Sequence, residues 1–374
     1  MKRRDWITRA TAMAGTTALS GSPVAGESDA HLTIELLRLE LRHTWTTTMS
    51  SSDFRRTVLA RYRCDGVEGL GEGAPIVRYG EDPDQARRAL EQVRDDVERE
   101  DPWAREALLG RAFARLDHQF AARAALDIAL HDWTGQRLGI PLYRLFGLDP
   151  ADAPLTTFSI GIDTPEMTRQ KVREAEAFPV LKIKVGLDTD EASIDAVRAV
   201  TDKPLRVDAN EGWQDREIAV RKIEWLASRG VELVEQPVPA AALEDAAWVR
   251  ERVGVPIFAD EACRRARDIP GLAGAYDGVN IKLDKAGGLA EALRMIHTAR
   301  ACGLGTMLGC MISSSVSTTA AAHLSPLVDY ADLDGHLLIA NDPWVGVQVR
   351  QGQLVLPEGA GLGLHPRGSE VGAT

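Results

Sequence analysis

From Pro154 to about Gly335 short apolar runs recur, each ending in a charged residue or a glycine and each preceding an amphipathic stretch of helix length. Eight can be counted: Thr157 to Gly161, Leu181 to Val185, Leu205 to Asp208, Leu233 to Glu235, Ile257 to Asp260, Val279 to Lys282, Thr306 to Gly309 and Tyr330 to Asp332. That rhythm predicts a parallel α/β barrel, in which functional side chains come from the C-terminal ends of the strands. The first part of the chain is patterned differently. Leu32-Thr33-Ile34-Glu35-Leu36 alternates and Thr57 to Tyr62 follows a polar loop, so His31 to Gly73 predicts a meander. Thr46 to Ser52 is read as a long polar loop and Pro75 to Glu81 as a second. Helical periodicity runs from Asp84 to about Trp133, opened by Asp82-Pro83. Beyond Gly335, Val345 to Leu356 is strand-like, and Gly359 to Thr374 reads as a frayed tail.

The chemistry sits on the strand ends. Lys182 and Lys184 are two apart in a strand and so leave the same face. Two ammonium groups that close disfavour each other's charge, and partial burial acts the same way, so one of them could act as a base. Asp208, Glu235 and Asp260 end three consecutive runs, 27 and 25 residues apart. On neighbouring barrel strands their carboxylates would converge and repel, which calls for a cation, and all-oxygen ligation favours Mg²⁺. Lys282 falls four strands after the Lys182/Lys184 strand, on the opposite side of an eight-strand barrel, while Lys285 is expected in the following loop. Asp332 and Asp334 place two more acids beside a site already rich in carboxylates. They want a further cation, which a substrate ammonium would supply, unless the segment is simply a turn-forming DxDG.

Composition narrows the partners. A hydrophobic share of 44% is that of an ordinary globular chain, and a net charge of -11 spread along it disfavours nucleic acid or an anionic membrane and leaves a small molecule. The four cysteines show no metal spacing and read as core thiols. After the N-terminal segment no apolar run is long enough to span a membrane. Residues 1 to about 26, with Arg3-Arg4, a modest apolar stretch from Ala10 to Leu19 and small residues up to Ala25, resemble a twin-arginine export signal and imply a periplasmic or secreted protein; without such a signal it would be cytoplasmic. Nothing in the sequence bars a homo-oligomer.

Ala122 to Gly147 (ARAALDIALHDWTGQRLGIPLYRLFG) supplies a family. The small face of Ala122, Ala125 and Ala129 by itself indicates close helix packing, ended at Gly139-Ile140-Pro141. As a motif the segment resembles the first signature of the mandelate racemase and muconate-lactonizing branch of the enolase superfamily, with Trp133 where a smaller aliphatic is usual. The resemblance implies a modified TIM (β/α)7β-type barrel over about 154–335, an α+β capping domain over about 31–150, and a segment 336–374 that returns to the cap. It gives catalytic roles to Lys184 and Lys282, a tuning and carboxylate-holding role to Lys182, and one Mg²⁺ per subunit to Asp208, Glu235 and Asp260. The Asp332/Asp334 pair looks like the DxD of dipeptide epimerases, which holds the free N-terminus of a dipeptide, and Ser159 and Cys310 would line the pocket. Many members carry Glu-Ser where this chain has Ser314-Ser315. The resemblance also implies the chemistry of that superfamily, in which Mg²⁺ on the substrate carboxylate acidifies the α-proton and stabilises an enediolate; with Lys184 removing the proton and Lys282 returning it on the other face, the α-carbon inverts. The expected activity is therefore epimerisation of a dipeptide at its C-terminal residue. N-acylamino-acid racemase, o-succinylbenzoate synthase and muconate cycloisomerase share the lysines and acids but need no ammonium clasp, and an exported dipeptide-binding protein is the non-enzymatic alternative. His297 and His323 fall on helical stretches and are read as packing residues.

Overall fold

The computed structural model describes residues 29–368, so the export segment expected over residues 1 to about 26 lies outside the described residues. Three antiparallel strands, β1 (His31–Thr46), β2 (Ser51–Cys64) and β3 (Val67–Gly73), form the meander. Helices α1 (Pro83–Arg99), α2 (Arg105–Arg115) and α3 (Phe120–Leu138) pack on it, and a single turn, α4 (Leu142–Leu145), leads away. Asp82 opens α1 by accepting from the backbone N–H groups of Asp84 and Gln85, and left-handed Gly139 (φ 70°) closes α3.

The cap is held together by a match of two periods. Every second residue of β3, Gly69, Gly71 and Gly73, faces every fourth residue of α3, Ala129, Ala125 and Ala121. A Cβ on any of the three glycines would strike the helix backbone at those carbonyls. Trp133 then fills the far end of the interface, fully buried, donating to Cys64 O at 3.0 Å and meeting Tyr62 and Trp103 edge-on.

Eight parallel strands follow: β4 (Phe158–Ile160), β5 (Leu181–Lys184), β6 (Leu205–Asp208), β7 (Val231–Glu235), β8 (Ile257–Ala259), β9 (Gly278–Lys282), β10 (Gly305–Gly309) and β11 (Tyr330–Asp332), hydrogen-bonded in sequence order. A bridge from Thr156 to Ala331 joins the first to the last, which makes the sheet a barrel. Helices α5 (Pro165–Glu174), α6 (Asp190–Arg198), α7 (Arg216–Ser228), α8 (Leu243–Arg250), α9 (Ile269–Leu272), α10 (Leu283–Ala286), α11 (Leu289–Ala301) and α12 (Ser315–Ala322) lie in the connections. β11 is followed by a 3-10 turn, Gly335–Leu338, where an eighth helix would stand, so the architecture is the (β/α)7β barrel with an α+β cap.

Cap and barrel are joined by buried carboxylates on helix N-termini, where orphan N–H groups and the helix dipole favour an anion. Glu72 of β3 accepts from the backbone N–H groups of Ser314 and Ser317 and from Ser314 Oγ at the start of α12. Asp127 of α3 accepts from Leu289 N at the start of α11, and Asp284 returns the favour by accepting from Ala74 N at 2.6 Å. Ser314 thus serves the cap–barrel joint.

Three expectations change here. The polar loop at Thr46 to Ser52 is a tight turn, closed by Thr47 N on Ser50 O, because β1 and β2 extend further than their composition suggests. Residues 359–367 are not frayed: Gly361 and Leu362 bond to Ile140 O and Asp132 Oδ1, and Leu362 is fully buried. The strand-like region past Val345 divides into β12 (Trp344–Val345), β13 (Gln348–Arg350), β14 (Gln353–Val355) and β15 (His365–Pro366). The β13–β14 hairpin reaches the base of the barrel, where Thr156 N donates to Gly352 O, while Ala340 and Asn341 bond to Glu40 of β1. Gly71→Ala should cost about 3 kcal/mol or more, since overpacking here would push backbone against backbone, and a denaturant titration read by tryptophan fluorescence measures it. A loss below about 1 kcal/mol would show that β3 and α3 can separate cheaply.

Candidate active site

Strand register sets the site. Lys184, Asp208 and Glu235 are aligned across β5, β6 and β7, and Lys282, Gly309 and Asp332 across β9, β10 and β11. Asp260 follows β8 and completes an acidic arc in which Asp208, Glu235 and Asp260 are buried, with one oxygen from each lying within 4.8 Å of the others. The arc has an amine at each end: Lys184 Nζ is 2.6 Å from Asp208 Oδ2 and Lys282 Nζ is 2.7 Å from Asp260 Oδ2. Lys182 reaches over the middle, 2.7 Å from Glu235 Oε2, 3.2 Å from Asp208 Oδ2 and 2.6 Å from Asp332 Oδ2. Gly309 keeps its place open, because a Cβ there would press on Lys282 and Asn280.

The charges respond to this crowding. Burial pushes the Glu235 carboxyl up and neighbouring Asp208 adds to it, to about 7. Burial would also raise Asp208 and Asp260, but Lys184 and Lys182 hold Asp208 below the usual carboxylate range, and Lys282 and Lys285 hold Asp260 well below it. One amine of the Lys182/Lys184 pair is expected to be lowered, and Lys182 moves the other way. Burial favours its neutral form, yet Asp332, Glu235 and Asp208 outweigh that and hold it well above an ordinary lysine. The neighbours that decide its charge are three acids from other strands, more than the lysine two residues away.

The donor set suits a divalent cation. Three carboxylates converge, and Glu235 Oε2, though close to Lys182, receives no well-directed hydrogen bond. Hard oxygen donors in such a cluster are the ligands that Mg²⁺ takes. Asp208, Glu235 and Asp260 could hold it, with room left for water or substrate.

Asp332 and Asp334 lie opposite. Asp332 accepts from Thr157 Oγ1 at 2.6 Å and Ser159 Oγ at 3.2 Å besides pairing with Lys182, so part of the cationic partner it needs comes from the protein itself. Asp334 accepts from Ser159 N and has no lysine or arginine partner among the described residues; burial, then Asp332, raises its carboxyl to about 7. Ser159 therefore binds both acids. Cys310 touches the same segment, its Sγ 3.3 Å from Asp332 O and from Gly335 N. A small cavity beside Ser159 is walled by Leu41, Trp45, Phe158, Ile312 and Leu338, with Arg42, His43, Lys171 and Glu174 also on its lining.

Sequence reasoning missed the supports behind these groups. Lys285, expected in the loop, turns inward from α10; it is fully buried and donates to Asp260 Oδ1 and to the carbonyls of Asp260, Cys263 and Asn280. Asn280 donates to Glu235 Oε1 at 2.7 Å, and its position two residues before Lys282 on one strand face was the available signal. Asn210 joins Lys184 to Glu261, and Gln236 Oε1 accepts from Asp260 N and Ala262 N. His323 packs on Tyr143, burial pulling its imidazole down to about 4, whereas His297 is exposed on α11.

An eight-strand barrel with acids on three successive strand tips and a cap of this build defines a class, and comparison with known proteins gives the same one. Residues 33–147 match the family described as mandelate racemase / muconate lactonizing enzyme, N-terminal domain, and residues 166–371 match enolase C-terminal domain-like. The chain belongs to the mandelate racemase / muconate lactonizing enzyme family of the enolase superfamily. Among curated relatives it is 42% identical over 328 residues to the L-Ala-D/L-Glu epimerase of Bacteroides thetaiotaomicron, covering 87% of this chain and 85% of that one. It is 42% identical over 335 residues to the L-Ala-D/L-amino acid epimerase of Pedosphaera parvula, covering 87% and 96%. Among solved structures it is similar to a dipeptide epimerase of Enterococcus faecalis complexed with Mg and the dipeptide L-Leu-L-Tyr, with TM-score 0.82, 33% identity and coverage of 89% and 98%. The chain is an isomerase of the racemase and epimerase class.

Lys285→Met would take the ammonium from Asp260 Oδ1 and from the carbonyls of Asp260, Cys263 and Asn280, leaving Lys282 as the one amine on that carboxylate among the described residues. The expected loss of folding stability is about 3–5 kcal/mol, read from the urea midpoint, and a neutral result would mean water replaces the amine.

Proposed function

We propose that the protein epimerises dipeptides, inverting the α-carbon of the C-terminal residue by proton transfer between Lys184 and Lys282. The observation that carries this reading is the arc itself: two amines at opposite ends of three converging carboxylates, each in contact with the terminal acid. Mg²⁺ held by Asp208, Glu235 and Asp260 would supply positive charge to the substrate carboxylate and so acidify its α-proton. Lys184 takes the proton on one face and Lys282 delivers one on the other, while Lys182 faces the carboxylate end of the site. Asp334, which has no lysine or arginine partner among the described residues, supports the assignment of Asp332 and Asp334 to the substrate's ammonium. That pair favours a dipeptide over the N-acylated or non-amino substrates of the sister activities, which present no such charge. The cavity beside Ser159 would seat the side chain next to that ammonium. Arg3-Arg4 and the apolar stretch behind it support export, where dipeptides of the Ala-Glu type released from cell walls would be a supply.

Incubation of dipeptides with the protein and Mg²⁺ in D₂O, followed by mass spectrometry and chiral analysis, tests the reading. Uptake of α-deuterium with inversion is expected; uptake without inversion would leave one working base, and no uptake into any dipeptide would favour a binding protein. Lys184→Ala and Lys282→Ala should each abolish inversion while Mg²⁺ still binds by calorimetry. Metal lost in either variant would reassign that lysine to the metal site.

The charge state of Asp334 gives a pH dependence. With its carboxyl raised to about 7, the group is protonated below that pH and cannot pair with an ammonium. KM should therefore rise as pH falls through about 7, and Asp334→Asn should have a high KM that no longer varies there. A wild-type KM that stays flat between pH 6 and 8, spanning that value of about 7, removes Asp334 from the clasp.

A further inference from the structure

The corner just after Asp208 is strained and doubly held. Asn210 (φ 41°) and Glu211 (φ 64°) both take the left-handed conformation, which costs a residue with a side chain of order 1 kcal/mol or more. Two separate loops of the cap reach it. From the turn between β1 and β2, Thr48 Oγ1 donates to Asn210 O at 3.0 Å. From the short 3-10 turn Val77–Tyr79, Arg78 grips Glu211 with two prongs, Nε to Oε2 at 2.7 Å and Nη2 to Oε1 at 3.0 Å. The barrel braces the same residue, since Ala240 N donates to Glu211 Oε1 and Glu211 N donates to Gln236 O.

What the corner carries is the Asn210 side chain. Its Oδ1 accepts from Lys184 Nζ at 3.1 Å and its Nδ2 donates to Glu261 Oε1 at 3.1 Å, so both ends of the amide are committed. Lys184 has one other acceptor, Asp208, whose carboxylate also bonds to Asn210 N. Lys282, across the arc, makes no contact with Asn210; it is held by Asp260, which the corner reaches only at one remove, through Gln236 and Glu261. A lysine amine is a point charge on a flexible four-carbon stem, so its direction is set by its acceptors. The Arg78–Glu211 pair is 39% and 13% exposed, and a pair open to solvent on one side contributes little to stability. Positioning is the better account of its two-pronged geometry.

We propose that Arg78 and Thr48 are positioning residues for Lys184: from the cap they pin the Asn210–Glu211 corner and through it aim one of the two amines and not the other. The inference rests on the two-base reading above, in which each lysine serves one epimer.

That asymmetry is what the experiment reads. Wild type, Arg78→Gln, Thr48→Val and the conservative Thr48→Ser are each incubated in D₂O and Mg²⁺ with the separate epimers of a dipeptide that wild type turns over. The measured quantity is α-deuterium gained without inversion, which needs only the base facing that epimer. Lys184→Ala identifies the epimer that depends on Lys184. In Arg78→Gln and Thr48→Val, exchange from that epimer should fall on the order of tenfold while exchange from the other holds, since a sub-ångström misplacement of a reacting group is felt as rate. Thr48→Ser, which keeps the hydroxyl, should keep the exchange. Equal loss from both epimers, no loss from either, or a Thr48→Ser protein as impaired as Thr48→Val overturns the inference. Circular dichroism melts accompany the variants; if Arg78→Gln does not fold, Thr48→Val, which deletes one hydroxyl, decides alone. Wild-type exchange of neither epimer, with any dipeptide, sinks the functional reading and this inference together, whereas symmetric loss in the variants sinks only the inference.

Discussion

Three carboxylates held within 4.8 Å of one another in a buried barrel mouth are the constraint on which the rest of the structure turns. At an effective dielectric near 20 each such pair repels by roughly 3 kcal/mol, a large part of what a whole domain has to spare. The fold answers with amines from both sides. Lys184, Lys182, Lys282 and Lys285 all point into the arc, and none is more than slightly exposed. Six carboxyls, Asp208, Glu235, Asp260, Glu261, Asp332 and Asp334, are buried in this mouth with those four amines, so with all of them ionised the excess would be two negative charges, the charge of one divalent cation. Glu235, Glu261 and Asp334 are the carboxyls pushed upward, to about 7, 8 and 7, so protons on these three relieve part of that excess.

Convergence at that density needs a rigid frame, and the cap helps to provide it. Glu72 and Asp127 reach from the cap to the first turns of α12 and α11, the helices behind β10 and β9, and Asp284 reaches back from the turn after Lys282 to Ala74. Burial raises the Glu72 and Asp284 carboxyls, the latter to about 7, yet their backbone donors keep each in a single orientation. The glycine and alanine faces of β3 and α3 let the cap lie close enough for these short side chains to reach. Packing in one half of the molecule thus fixes helices that carry the chemistry of the other.

Much of this was legible in the residue pattern, for a local reason. A strand of period two that ends in a charge declares both its face and its tip, so Lys182, Lys184, Asp208, Glu235, Asp260, Lys282 and Asp332 could each be placed from a few neighbouring residues. The alanine spacing of α3 likewise belongs to its own segment, although the face read there as Ala122, Ala125 and Ala129 meets the β3 glycines through Ala121, Ala125 and Ala129. The inward role of Lys285, on the single turn α10, and those of Asn210 and Gln236, in loops, escaped because segments so short give no period to read, and what these residues bond to follows other strands.

The sequence by itself determined the order of strands and helices, the acids and lysines at the strand tips, and the family that this order identifies. Only the tertiary structure decided which charges meet. Lys182 is held protonated by Asp332, 150 residues away, and Asp334 is left without a lysine or arginine among the described residues. It also decided that the Thr48 turn and Arg78 close on the corner beside Lys184, and that residues 359–367 lie folded against α3. Side-chain period is a property of a few bonds and is written locally; Coulomb energy and burial depend on distance through space, which no stretch of chain contains until the barrel has closed.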